Sequence, residues 1–562
     1  MRKQIAVLAL GAIAALAAIG LASCGDDDGG GGQTAGGSIV VTQTAQPDFL
    51  DPALSYLVEA WEPMWVVYTP LLTYRRAEGT EGAELIPGLA EEMPEVSDDG
   101  KTYELTMRKG LRFSDGSPVK ASDFEHTIKR VLNLESPGSP YFEGIVGASD
   151  YVSGGNAEAD IPGIETNDRS GEITIELTDP DAAFSNALAM NFAGVVPGDT
   201  PFENVTRNPA PGVGPYMFTK SEPNREYVME RNPHFASGDI PGVSEAQIER
   251  ITTKIVPNLV QQTQDVIDNK VDYMQDPPAA DLKAEVLERF GPDGSEEQRY
   301  SEFETLSTYF FFLNSKLPPF DDQKVREAVN FGIDKSALAR LYAGELAPGC
   351  SFLPPGIPGH TEELDVADCP WGDPSEPPDL ERAKQLIKEA GAEGAEVTVW
   401  GNSDEPTPKV TQAYADQLNE IGLDAQPKII NGAVYFQTIG NQSTEAQTGF
   451  ANWFADFPHP LNFFQLVDGT SITETNNLNI ANVDDPRINR ELEALRQEPD
   501  LPAVTDRWED LNDYLAESAY LVPYGHNKLS TFVSDRIDFD GCTLVHPLYQ
   551  NVYTSFCLKG GE

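Results

Sequence analysis

Histidine and cysteine are scarce in this chain, six and five among 562 residues, and basic residues are few, 39 Lys and Arg against 90 Asp and Glu. Each scarcity excludes something. The histidines stand singly, with no H-E-x-x-H helix to hold zinc, and no G-x-S-x-G elbow presents a nucleophilic serine. Gly100-Lys101-Thr102 ends like a phosphate-binding loop, but the upstream glycine such a loop needs falls at Glu95, so a hairpin turn is the better reading. No spacing singles out a catalytic carboxylate pair among the acids. No catalytic residue, metal or cofactor is therefore expected. The deficit of bases sets the net charge at −51. A surface so acidic repels nucleic acid and anionic membranes, and nucleic acid is not expected as a partner. Beyond residue 21 no apolar run approaches the length of a membrane span, so a soluble body is expected.

What is present begins with a leader. Arg2 and Lys3 precede an uncharged apolar stretch at residues 5–21, and Leu21-Ala22-Ser23-Cys24 closes it. Basic-then-apolar order with small residues at the end is an export signal. With Cys24 at the cut it resembles the bacterial lipoprotein box, which implies a signal peptide over residues 1–23 and acylation of Cys24, palmitate included. Residues 24–37 follow with Asp26-Asp27-Asp28 and a glycine run, a composition that buries no core and reads as a flexible tether. A transmembrane anchor and a plain secretion signal are the alternatives. The remaining cysteines form local pairs, Cys350 with Cys369 and Cys542 with Cys557. In an exported chain these suggest two disulfides, and neither pair has zinc-site spacing.

The body exceeds one compact core, so two or more lobes are expected. Asp99-Gly100 is a hairpin signal, and Tyr103, Leu105 and Met107 alternate with polar neighbours as in a half-buried strand. Ser122 and Glu125 read as a capping box ahead of a helix with Phe124, Ile128, Val131 and Leu132 on its apolar face. Residues 309–313 form a continuous apolar run, a buried strand. Asp321 or Asp322 caps a helix carrying Val325, Ala328 and Val329, and Asp379 caps another that stops at Gly391. Residues 397–400 give a strand directly after it. Helices and strands in short alternation indicate α/β layers.

Several motifs then fall in a fixed order. Leu85-Ile86-Pro87-Gly88-Leu89-Ala90-Glu91 leads to Ser97-Asp98-Asp99-Gly100-Lys101-Thr102-Tyr103, and to Arg108-Lys109-Gly110-Leu111-Arg112-Phe113-Ser114-Asp115-Gly116. Gly212-Val213-Gly214-Pro215-Tyr216, Arg231-Asn232-Pro233, Pro318-Pro319-Phe320-Asp321-Asp322 and Trp453-Phe454-Ala455-Asp456-Phe457-Pro458 follow. Together they resemble the family 5 extracellular solute-binding proteins, the dipeptide- and oligopeptide-binding receptors of ATP-driven (ABC) importers. The resemblance implies a two-lobed α/β fold of the periplasmic-binding-protein type (class II, large form with an inserted subdomain) with two hinge strands. Residues 38–72, 191–302 and 527–562 would form the first lobe, residues 73–190 its inserted subdomain, and residues 303–526 the second lobe. It also implies a monomer, a lipid anchor to the membrane, and permease and ATPase partners.

The same resemblance points to a site. The acid of the W-x-A-D segment, Asp456, would meet a peptide α-amino group, with Trp453 walling the pocket and Tyr141 facing the cleft from the inserted subdomain. One departure matters. Residues 429–486 contain no Lys or Arg, so Glu445, Asp456, Asp468 and Glu474 are unopposed within that span and a ligand carboxylate lacks a local partner. Arg225, Arg340 or Lys528 would have to serve from elsewhere. An oligopeptide, a basic peptide, and a cationic non-peptide solute or a metal chelate near His459 remain open as ligands. A secreted hydrolase and a surface receptor without transport are the other functional readings.

Overall fold

The longest strand of the molecule's described residues sets the architecture. Leu521–Val533 is a single thirteen-residue strand. Its first half pairs antiparallel with Ser307–Leu313, and its second half pairs with Tyr300–Glu304 and Tyr273–Met274. The chain thus passes between two halves of one sheet twice, once through residues 300–313 with a break at Thr305 and Leu306, and once through the unbroken return strand. In the computed structural model, which describes residues 36–236 and 238–561, the sheet has twelve strands. Cys24 and the tether as far as residue 35 lie outside the described residues.

One half of the sheet carries Ser38–Gln43 parallel to Arg250–Ile255, followed by the antiparallel ribbon of Glu226–Arg231 and Tyr216–Glu222. The other half carries Thr448–Phe454 against Ser307–Leu313, then Glu396–Asn402 and Asp424–Ile430 in parallel. Each half has its own apolar core. Ile39, Val41, Tyr68, Tyr216 and Ile251 fill the first, and Phe311, Val325, Val329, Leu386, Tyr414 and Leu418 fill the second. In the second core the Phe311 ring lies flat on Tyr414, with centroids 3.7 Å apart, and on Tyr524 at 4.7 Å.

A separate antiparallel sheet joins Glu95–Val96, Thr102–Thr106, Glu172–Glu176 and Ile164–Thr166, covered by the helix Ala121–Asn133. The Asp99-Gly100 turn forms as expected, with Gly100 at φ +71°, where a side chain is strained. One buried ion pair ties this helix to the first half of the molecule. Arg130 donates to both carboxylate oxygens of Asp51, at 3.0 and 2.8 Å, and neither side chain is exposed. Two parallel bonds satisfy both groups, which makes such a pair tolerable away from water.

The helix starts are partly as expected. Asp322 accepts from the Lys324 N–H and Asp379 from the Arg382 N–H, and Gly391 closes its helix in the left-handed region at φ +69°. The Ser122–Glu125 capping box does not form. The helix opens two residues earlier, at Lys120, with Asp123 three residues on accepting the Lys120 N–H at 2.7 Å. Ser122 turns instead to Asp168, and Glu125 pairs with Lys129 at 2.7 Å. Asp123 thus takes the role expected of Glu125, and Ser122 is held by Asp168, a partner remote in sequence. Among the described residues no helix is long and apolar enough to cross a membrane.

Candidate functional site

The sheet edge at the end of Thr448–Phe454 sets the position of the site. Phe454 pairs with Ser307, the Ala455 N–H donates to the Leu306 carbonyl, and the next residue is Asp456. The short helix Leu461–Phe464 folds back over this segment and brings in Asn462. The Asn462 side-chain oxygen accepts the Trp453 indole N–H and the Asp456 backbone N–H, each at 2.9 Å. Its amide nitrogen donates to Asp456 Oδ2 at 2.8 Å. Asn462 therefore fixes the orientation of two of the three residues expected at the site, Trp453 and Asp456.

Asp456 is buried, and burial raises its carboxyl above the ordinary carboxylate range. Hydrogen bonds from Tyr141, Asn462 and Tyr56 oppose that shift by favouring the ionised form. The Tyr141 hydroxyl reaches Oδ2 at 2.5 Å across 315 residues of sequence. Tyr141 comes from the short turn Ser139–Tyr141, and its ring meets Phe457 edge-on at 5.8 Å. Among the described residues no cation is a partner of Asp456, and only neutral hydrogen-bond donors stabilise its carboxylate.

A cavity of about 770 Å³ opens beside it, within the size range of ligand pockets. Tyr56, Trp61 and Tyr141 line one side, and Phe310, Phe436 and Trp453 line the other. The segment 56–61 belongs to the first half of the sheet and residues 436–481 to the second, so the cavity sits between them. Among the described residues its charged lining is Glu59 and Asp456, with no Lys or Arg. Burial raises the Glu59 carboxyl too, with repulsion from Asp276 and Asp48 adding to the effect.

The structure brings together all three residues expected to touch a ligand, Asp456, Trp453 and Tyr141. It does not bring in Arg225, Arg340 or Lys528, none of which lines the cavity. Arg225 pairs with Glu222, and Arg340 donates to Ser336. Asp468 is not unopposed, since Arg496 reaches it at 2.6 Å from outside the base-free span. His459 is buried away from the cavity, where Nδ1 accepts the Leu461 N–H and burial lowers its pKa to about 3. It closes a turn and does not line the cavity. Tyr56, Glu59, Trp61 and Asn462 were not singled out from sequence. The aromatic density of residues 56–68 was the available signal for the first three.

The cysteine pairs meet as spaced, with Cα atoms 6.0 Å apart for Cys350 and Cys369 and 5.5 Å apart for Cys542 and Cys557, both within bridging range. Asp538 stands beside the second pair as the one metal-capable grouping among the described residues, and its two sulfurs lie at bridging distance from each other.

Comparison with known proteins shows the family of the chain. The family model described as bacterial extracellular solute-binding proteins, family 5 Middle, matches residues 84–474. The dipeptide-binding protein of Escherichia coli (strain K12) is 27% identical over 413 residues, covering 70% of this chain and 71% of the relative. Heme-binding protein A of Haemophilus influenzae is 27% identical over 463 residues, covering 77% and 76%. Among solved structures, clavulanic acid biosynthesis oligopeptide binding protein 2 superposes with a TM-score of 0.84 at 26% identity, covering 94% of this chain and 96% of that one.

Proposed function

Because the chain belongs to the bacterial extracellular solute-binding proteins of family 5, we propose that it is the substrate-binding lipoprotein of an ATP-driven importer, taking an oligopeptide by its α-amino group. The observation that carries this reading is Asp456, a buried carboxylate with no cation among its partners, lining a cavity between two halves of the molecule. A buried carboxylate held only by neutral donors gains from an ammonium placed beside it. Relatives named for dipeptide and oligopeptide binding support a peptide as the solute. Uncharged side-chain amides in the lining, Gln437, Asn452, Asn476 and Asn477, suit peptide backbone groups.

Capture requires no bond chemistry. A ligand touching both lobes favours the closed arrangement by its difference in affinity for the two states. Tyr141 and Asp456 come from the two sides and meet when they are closed, so ligand and latch share one carboxylate. The closed form then delivers the solute to its permease. Tethering through acylated Cys24 keeps the trap near that permease, and one chain alone holds marginally, so multiple acylation is part of the reading. Disulfides at Cys350–Cys369 and Cys542–Cys557 suit this extracytoplasmic setting.

A heme ligand, suggested by one relative's name, fits less well. Its carboxylates would meet Glu59 and Asp456 in a cavity without a basic residue.

Calorimetry tests the site. Asp456→Asn keeps the shape and removes the charge, and should weaken binding of a free-amine peptide at least tenfold. Unchanged affinity removes Asp456 from the site. Cys24→Ser should move the protein from the membrane fraction to the soluble fraction of its bacterial host, and persistence in the membrane would overturn the anchor.

A further inference from the structure

The cavity's chemistry narrows the solute further than an amine, and this narrowing rests on the amine reading of Asp456. Its walls are aromatic, with Tyr56, Trp61, Tyr141, Phe310, Phe436 and Trp453 facing the same space. Its charges are both acidic, and none of its lining residues is Lys, Arg or His. Leu57, Phe436 and Leu478 line it while remaining 50%, 45% and 47% exposed, so the opening to solvent is rimmed with apolar side chains from both sides. Large exposed apolar residues grouped at one opening mark a binding surface.

A small zwitterion is the wrong shape of charge for such a space. Its ammonium meets Asp456, but its carboxylate is stripped of water inside the same walls, with Glu59 repelling it and only neutral amides to receive it. An apolar body with an ammonium at one end meets no such penalty, and aromatic faces add to its attraction for the cation. We propose that the cavity takes an aromatic or aliphatic solute bearing one ammonium group at Asp456 and no anionic group inside the cavity. Two sources share this chemistry: a small apolar amine, and a longer peptide whose C-terminal carboxylate lies beyond the rim.

Calorimetry with defined probes tests it on the full chain. The probes are Phe-Phe amide, Phe-Phe with its free carboxylate, N-acetyl-Phe-Phe amide, and Phe-Phe-Gly-Ser-Gly-Ser with its free carboxylate. Phe-Phe amide should bind at least tenfold more tightly than Phe-Phe. The hexapeptide matching the amide identifies a long peptide as the source, and the hexapeptide falling with Phe-Phe identifies a small amine. Gln437→Arg, at an exposed position in the lining, should narrow the gap between acid and amide at least fivefold. The proposal is overturned when Phe-Phe binds as tightly as its amide, when Phe-Phe amide does not bind, or when Gln437→Arg leaves the preference unchanged. The amine reading itself fails separately, when the acetylated amide binds as tightly as the free amine.

Discussion

Buried carboxylates without cations recur at single-residue scale in this molecule, and they have a measurable consequence. Glu62 accepts from the Tyr273 hydroxyl and the Gln275 amide at 2.9 Å each, and from the Asn551 N–H at 3.1 Å, yet burial still pushes its carboxyl from 4.5 up to about 7. The folded state therefore binds this proton more tightly than the unfolded chain does. The stabilisation is fully present below pH 4.5 and is lost as pH rises through about 7, a change of about 3 kcal/mol. Glu62→Gln removes the term. Denaturant unfolding should show the variant gaining about 3 kcal/mol on its parent between pH 4.5 and pH 8, and a difference independent of pH would contradict it. Asp456 was legible from its motif, because W-x-A-D lies within one short segment. Asn462 was not, because nothing in the sequence says that the helix after Pro460 folds back onto that segment.

Elements divide in the same way. The helix Leu380–Ala390 could be read from its ends, since Asp379 and Gly391 act within a turn of the backbone they satisfy. The capping box at Ser122 failed for the opposite reason, its partner Asp168 being remote in sequence. Leu521–Val533 is apolar at its start, as far as Tyr524, but His526, Asn527 and Ser530 make its middle polar, so no local pattern marks it as one strand. That middle is where the strand leaves one half of the sheet for the other. Gly525 sits there, with Leu346–Ala347 pairing alongside and the register shifting opposite Tyr309 and Phe310. A Cβ on Gly525 would stand 2.5 Å from the Ala347 carbonyl oxygen and 2.7 Å from the Leu346 side chain. Gly525→Ala forces that backbone apart and should cost about 1–3 kcal/mol, read as a lower denaturation midpoint. An unchanged midpoint would mean that the crossing has slack.

Across the whole molecule, the decisive contact is the one between halves. Tyr141 and Asp456 are far apart in sequence and 2.5 Å apart in space. A carboxylate shared between a closing contact and a ligand predicts a compaction on binding. Small-angle scattering should show a smaller radius of gyration when a free-amine peptide is added at saturation, and an unchanged radius would count against lobe closure. The sequence by itself determined the family and the α/β character, through motifs that each lie within a few turns of chain. It also determined the acidic balance and the absence of a base across residues 429–486, since composition does not depend on folding. Only the tertiary structure decided what that absence means. Among the described residues it brings no Arg or Lys from elsewhere into the cavity, places Glu59 and an aromatic wall from residues 56–61 opposite Trp453, and gives Asp468 an Arg that Asp456 does not receive. Those outcomes depend on which distant segments meet, and no local spacing carries that information.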